Sequence, residues 1–166
     1  MEKLVINGGR RLYGSLEIQR AKNAVLPLLA ASVMTDERVR LRNLPKISDV
    51  EKMLHILREL GCEIVREGKD AVIDSSNAAS HEIPAVMTKE IRSSIFMLGS
   101  VLTRFHRAKI SYPGGCDIGL RPIDLHLKGF AALGAKIRQG HGFVELKADE
   151  FKLIKDRELE SECFYE

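Results

Sequence analysis

Apolar residues recur at i, i+4, i+7 and i+10 in two places along the chain. Val50, Leu54, Leu57 and Leu60 are followed by Gly61. Ile123, Leu127, Phe130 and Leu133 are followed by Gly134, 73 residues further on at every position. Each run predicts a helix with one apolar face and a glycine just past its end. The first opens on Ser48-x-x-Glu51, a capping-box pattern, and the second on Pro122. Alternating stretches follow both runs and predict strand pairs over 63–65 and 71–73, and over 136–138 and 143–146. Ahead of the runs, 39–41 and 109–111 read as further strands, and 24–34 and 88–105 as further helices. The chain thus contains two βαβαββ-like repeat units, 22–76 and 85–148, in an α/β (α+β) fold. Neither unit can cover both faces of its own sheet, so apolar surface is expected to remain open to self-association. Residues 1–21 predict a hairpin that belongs to neither unit. Residues 75–85 read as a polar connector ending in Pro84, and 151–166 as an acidic tail.

Composition narrows the function classes. The length of 166 residues suits one domain with a substantial core. No apolar run approaches the roughly 20 residues that span a bilayer, and no signal-peptide pattern opens the chain, so a cytoplasmic protein without a membrane partner is expected. Cys62, Cys116 and Cys163 are an odd number at unpatterned spacing, which reads as free thiols. The histidines show no metal-ligand spacing, and neither metal nor cofactor is expected. Net charge is +3, but residues 149–166 carry seven acids against three bases, which leaves a basic body suited to anions. With no Trp and three Tyr, the chain offers few platforms for stacking bases, so nucleic acid is not expected as a partner.

The densest chemistry lies in Pro113-Gly114-Gly115-Cys116-Asp117-Ile118-Gly119-Leu120-Arg121-Pro122-Ile123-Asp124-Leu125-His126. Glycines make a pliable loop, and a thiol beside a guanidinium at a helix start suits chemistry on an anion. The same residues also read as a turn carrying an inert thiol. Lys22-Asn23 stands at the mouth of the first helix, with Asn23 as its N-cap and Pro27 within its first turn. There Lys22 adds charge to the positive end of the helix dipole, or is simply a solvated lysine. Arg92 lies off the apolar stripe of the 88–105 helix, either as an anion ligand or as a surface arginine. Asp124 falls in a first helical turn, where a carboxylate favours the helix by itself. Cys62 follows a helix-ending glycine and reads as core.

Taken together, Ala21-Lys22-Asn23-Ala24, Arg92-Ser93-Ser94 and the segment from Pro113 to His126 resemble the UDP-N-acetylglucosamine 1-carboxyvinyltransferase family over roughly residues 1–150. That resemblance implies an inside-out α/β barrel of the enolpyruvyl transferase type, with six units in two domains and the active site between them. It implies transfer of the enolpyruvyl group of phosphoenolpyruvate to UDP-N-acetylglucosamine, the first committed step of peptidoglycan synthesis. Lys22, Arg92 and Arg121 would surround the anionic substrates. Asn23 would orient the sugar, and Arg121, Pro122, Ile123, Asp124 and Leu125 would line the uridine nucleotide. Cys116 would be the general acid and could bond covalently to phosphoenolpyruvate. Its thiol, about 8.5 in pKa when free, would be lowered by the neighbouring guanidinium. The hairpin at 1–21 would pack on the second domain. Arg20 stands where the family has glycine. With two units of six, the alternative expectation is a truncated homologue that binds ligand weakly or is inactive. The Cys loop and the Arg-Pro-x-Asp-Leu-His segment speak against the related 5-enolpyruvylshikimate-3-phosphate branch.

Overall fold

A computed structural model describes residues 3–11, 13–16, 18, 20–112 and 123–151. The first unit runs α1 (Lys22–Ala31), a 3-10 turn (Ser32–Met34), β1 (Arg38–Leu41), α2 (Ser48–Glu59), β2 (Glu63–Glu67) and β3 (Asp70–Asp74). The second runs β4 (Glu82–Ile83), α3 (Ala85–Glu90), a 3-10 turn (Arg92–Ile95), α4 (Phe96–Phe105), β5 (Arg107–Ser111), α5 (Asp124–Ala132), β6 (Lys136–Gly140) and β7 (Phe143–Lys147). Only the second has the full βαβαββ order among the described residues.

Each unit folds into its own sheet. In the first, β3 lies between β1 and β2 and is antiparallel to both. In the second, β7 lies likewise between β5 and β6, and β4 adds a parallel strand outside β5. The register repeats as well: Leu41 pairs with Ala71 and Val39 with Ile73, as Ile110 pairs with Val144 and Ala108 with Leu146. The central strands turn Ala71 and Ile73, or Val144 and Leu146, inward and their polar residues outward.

The predicted helix stops form in both units through the same backbone bonds. The Cys62 N–H reaches the Leu57 carbonyl at 3.0 Å around Gly61, whose φ is +100°. The Ala135 N–H reaches the Phe130 carbonyl at 2.9 Å around Gly134, with φ +97°. Such six-to-one closures require the left-handed region, which glycine enters without steric penalty.

The helices fill the centre. Val25, Leu26 and Leu29 of α1 meet α2 and α4, and α4 in turn covers β5. One continuous apolar cluster extends from Val25 to Ala148. Cys62 is in it as expected, and burial pushes its thiol pKa up.

Several expectations change. The helix predicted over 88–105 is broken at Ile91, which is extended (φ −140°, ψ 135°). Buried Ser94 fixes that break by donating its hydroxyl to the Ile91 carbonyl at 2.8 Å. The apolar stripe continues across it, which is why periodicity concealed it. The connector at 75–85 contains β4, too short for an alternation to register. Ile47 rather than Ser48 caps α2, without a side-chain bond, so the capping box is not made. Of the hairpin expected over 1–21, the described residues of 3–20 show no strand, and all of them are exposed. Leu4, Ile6, Tyr13, Leu16 and Ile18 find no surface there on which to bury a face, and a lone hairpin is marginal without one. The acidic tail beyond Phe151 lies outside the described residues.

Candidate functional site

α1 begins two residues earlier than expected. Its N-cap is Ala21, so Lys22 and Asn23 are its first two residues, and Asn23 is not the cap. Pro27 consequently falls beyond the first turn, where its missing N–H withholds the usual partner from the Asn23 carbonyl. A helix can begin without a side-chain cap when tertiary packing holds it, and Val25 and Leu26 are already buried.

The Lys22 ammonium is ion-paired with Asp49, in the first turn of α2. Its side chain remains 54% exposed, against 24% for Asp49. One turn along α2, Lys52 Nζ donates to the Glu90 carbonyl at 3.4 Å and lies 3.6 Å from its carboxylate. Glu90 ends α3, and Arg92 opens the 3-10 turn two residues later with its side chain exposed. The first two turns of α2 therefore bridge the start of α1 to the segment that carries Arg92. Next to Arg92, the Ser93 hydroxyl is buried without a hydrogen-bond partner.

In the second unit, Ile123 caps α5 and is buried, while Asp124 is its first residue and is exposed. Leu125 is 52% exposed. Cys116, Arg121 and Pro122 lie outside the described residues. The strand leading to them is anchored at Tyr112, whose N–H donates to the Gly142 carbonyl at 3.2 Å and whose hydroxyl donates to Gln139 at 2.9 Å.

Other charged groups are committed elsewhere. On the outer face of the second sheet, Glu145 accepts from Arg107 Nε at 2.9 Å and lies 3.0 Å from Arg138 Nε. The Arg107 hydrogen bond is the main cause holding its carboxyl below the usual range. Among the described residues, no cluster of His, Cys, Asp or Glu is arranged to hold a metal, and no helix is long and apolar enough to cross a membrane.

Residues 6–160 match the family described as EPSP synthase (3-phosphoshikimate 1-carboxyvinyltransferase). The chain belongs to that family. Within the EPSP synthase family it is 47% identical over 152 residues to UDP-N-acetylglucosamine 1-carboxyvinyltransferase 2 of Carboxydothermus hydrogenoformans, covering 92% of this chain and 36% of that protein. It is 45% identical over 147 residues to the protein of the same name from Caldanaerobacter subterraneus subsp. tengcongensis, covering 89% of this chain and 35% of that one. The chain thus spans little more than a third of the length of these relatives. In fold it is similar to the enolpyruvyl transferase NikO from Streptomyces tendae, with a TM-score of 0.72 at 24% identity over 87% of this chain and 32% of that one. It is also similar to EPSP synthase from Acinetobacter baumannii, with a TM-score of 0.59 at 15% identity over 85% of this chain and 33% of that one.

The sequence analysis singled out Lys22 and Arg92 separately. It missed Asp49, Lys52 and Glu90, the residues that connect them. A signal for Asp49 was present in the repeat: moved forward 73 residues, Ser48 and Asp49 fall on Arg121 and Pro122, and Glu51 falls on Asp124.

Proposed function

We propose that this chain contributes the anion-binding wall of an enolpyruvyl transferase, which moves the enolpyruvyl group of phosphoenolpyruvate onto UDP-N-acetylglucosamine in the cytoplasm, as the first committed step of peptidoglycan synthesis. The observation that carries the reading is the bridge through α2, which links Lys22 at the head of α1 to the segment bearing Arg92. Two exposed cations beside helix and turn starts form a surface ready for phosphate and carboxylate groups. The names of the relatives support the choice of substrates, and the resemblance of the segment from Pro113 to His126 supports the choice of Cys116 and Arg121. The two sheets and their central helices are read as part of an inside-out barrel, with residues 1–21 packing on a second domain.

In this reading Lys22, Arg92 and Arg121 hold the phosphoenolpyruvate anion, and Asn23 orients the sugar. Arg121, Pro122, Ile123, Asp124 and Leu125 line the nucleotide, which gives exposed Leu125 an apolar surface to meet. The Cys116 thiol donates its proton to the methylene carbon of phosphoenolpyruvate. The sugar 3′-hydroxyl oxygen bonds to the adjacent carbon as its own proton passes to a base. The carbon–oxygen bond to phosphate then breaks, phosphate departs with the electron pair, and loss of a proton from the methyl carbon restores the double bond. Lysine and arginine stabilise the charge that grows on the departing phosphate. Cys62 takes no part, because burial holds it as a thiol.

An epoxide phosphonate tests this reading on the chain itself. Mass spectrometry should find the adduct on Cys116, with UDP-N-acetylglucosamine raising its rate of formation several-fold. Labelling of Cys163 at an equal rate, with no response to the nucleotide sugar, would overturn it.

A further inference from the structure

We infer that Asp49 is a positioning residue for Lys22, setting the ammonium in place before an anion arrives. The inference rests on the reading of Lys22 as a substrate ligand. Its support is geometric. Lys22 is a long side chain at an exposed helix start, and such a side chain loses much of its rotamer freedom when a ligand immobilises it. Its pairing with the better-covered Asp49 imposes much of that order beforehand. Asp49 is held in turn by α2, whose Val50, Met53 and Leu54 are fully buried. The next turn of the same helix carries Lys52, tied to Glu90 ahead of Arg92. One rigid element thus sets the placement of one cation and supports the segment bearing the other.

The bland alternative is a carboxylate that serves only the dipole of α2. The repeat argues against it. Glu51 of the first unit corresponds to Asp124 of the second, so each second helix already has its first-turn acid. Asp49 corresponds to Pro122, where no carboxylate exists. The fold of the unit does not call for an acid at this position, yet the first unit has one, and it is paired with Lys22.

The test compares the unaltered chain with Asp49→Asn and Asp49→Glu. Each lysine is acetylated under limiting reagent and quantified by mass spectrometry, with and without phosphoenolpyruvate. Without ligand, Lys22 should react several-fold faster in Asp49→Asn, while Lys69 keeps its rate as an internal control. With ligand, the concentration that half-protects Lys22 should rise about tenfold in Asp49→Asn, the scale of one lost charge-assisted bond, and Asp49→Glu should recover part of it. An unchanged ligand-free rate at Lys22 overturns the positioning role whatever the ligand does. Tighter protection in Asp49→Asn overturns it also, since Asp49 would then compete with the anion. If phosphoenolpyruvate fails to protect Lys22 even in the unaltered chain, the proposed function fails, and the ligand-free rates still decide Asp49. Melting curves of both variants identify any loss of fold.

Discussion

At the scale of single residues, charge placement separates groups that hold the fold from groups that are free for chemistry. Asp74 belongs to the first kind. It accepts a hydrogen bond from the Ser76 hydroxyl at 2.6 Å and one from Arg38 Nε at 2.8 Å. These bonds lower its pKa from 3.8 to about 2. A carboxyl depressed in the folded state adds stability above its unfolded pKa and loses it as pH falls through the folded value. The Asp74 contribution should therefore be complete above about pH 4 and vanish towards pH 2. Acid unfolding of the unaltered chain and of Asp74→Asn should show a gap at pH 5 that closes near pH 2, and a gap that persists to pH 2 would refute the assignment. Lys22 and Arg92 stood out in the sequence as candidates because residue type and neighbours marked them. Asp49 was not, because an acid near a helix start has an ordinary explanation, and only its spatial partner distinguishes it.

At the scale of elements, the hydrophobic period and its stop signals were the most readable features. The two closures at Gly61 and Gly134 formed where the glycines stood, and β1, β2, β3, β5, β6 and β7 all lie where alternation placed them. The failures have a common physical origin. Ile91 and Ile95 keep the apolar stripe continuous while the backbone between them changes course, so a pattern of side chains did not report a break of the main chain. α1 starts at Lys22 through packing rather than through a cap, and that cannot be read locally. The Gly61 closure allows a direct check. A Cβ there would lie 2.9 Å from the Asn77 carbonyl oxygen in addition to the penalty of φ +100°, whereas at Gly68, with φ +60°, it would meet open space. Gly68→Ala should cost about 1 kcal/mol and Gly61→Ala distinctly more, about 2–4 kcal/mol, because backbone must also move. Denaturant melts measure both, and equal costs would show that the Asn77 segment yields freely.

At the scale of the molecule, the repeat organises two sheets, but the core does not respect the boundary between them. α1 of the first unit packs on α4 of the second, and the buried cluster is continuous. The chain should therefore unfold in one transition. Leu57→Ala in α2 and Val144→Ala in β7 remove fully buried side chains from different units, and each should lower the midpoint of the same single transition, the leucine variant losing about 2–5 kcal/mol of stability. Two separable transitions by circular dichroism would contradict the shared core. The sequence announced the two units and their order. It did not announce their difference, because the extra parallel strand β4 is two residues long and its partner is 27 residues away in sequence.

That difference leaves β1 at the rim of its sheet with no counterpart of β4 beside it among the described residues. An uncovered rim invites stray strands of other molecules, the first step of amorphous clumping. β1 spans only Arg38–Leu41, and its two outward residues are arginines, tied to Asp74, Glu67 and Asp70. A newcomer would gain few bonds and would lie alongside a row of charged groups already paired with one another, so the rim is tolerable in a crowded cell.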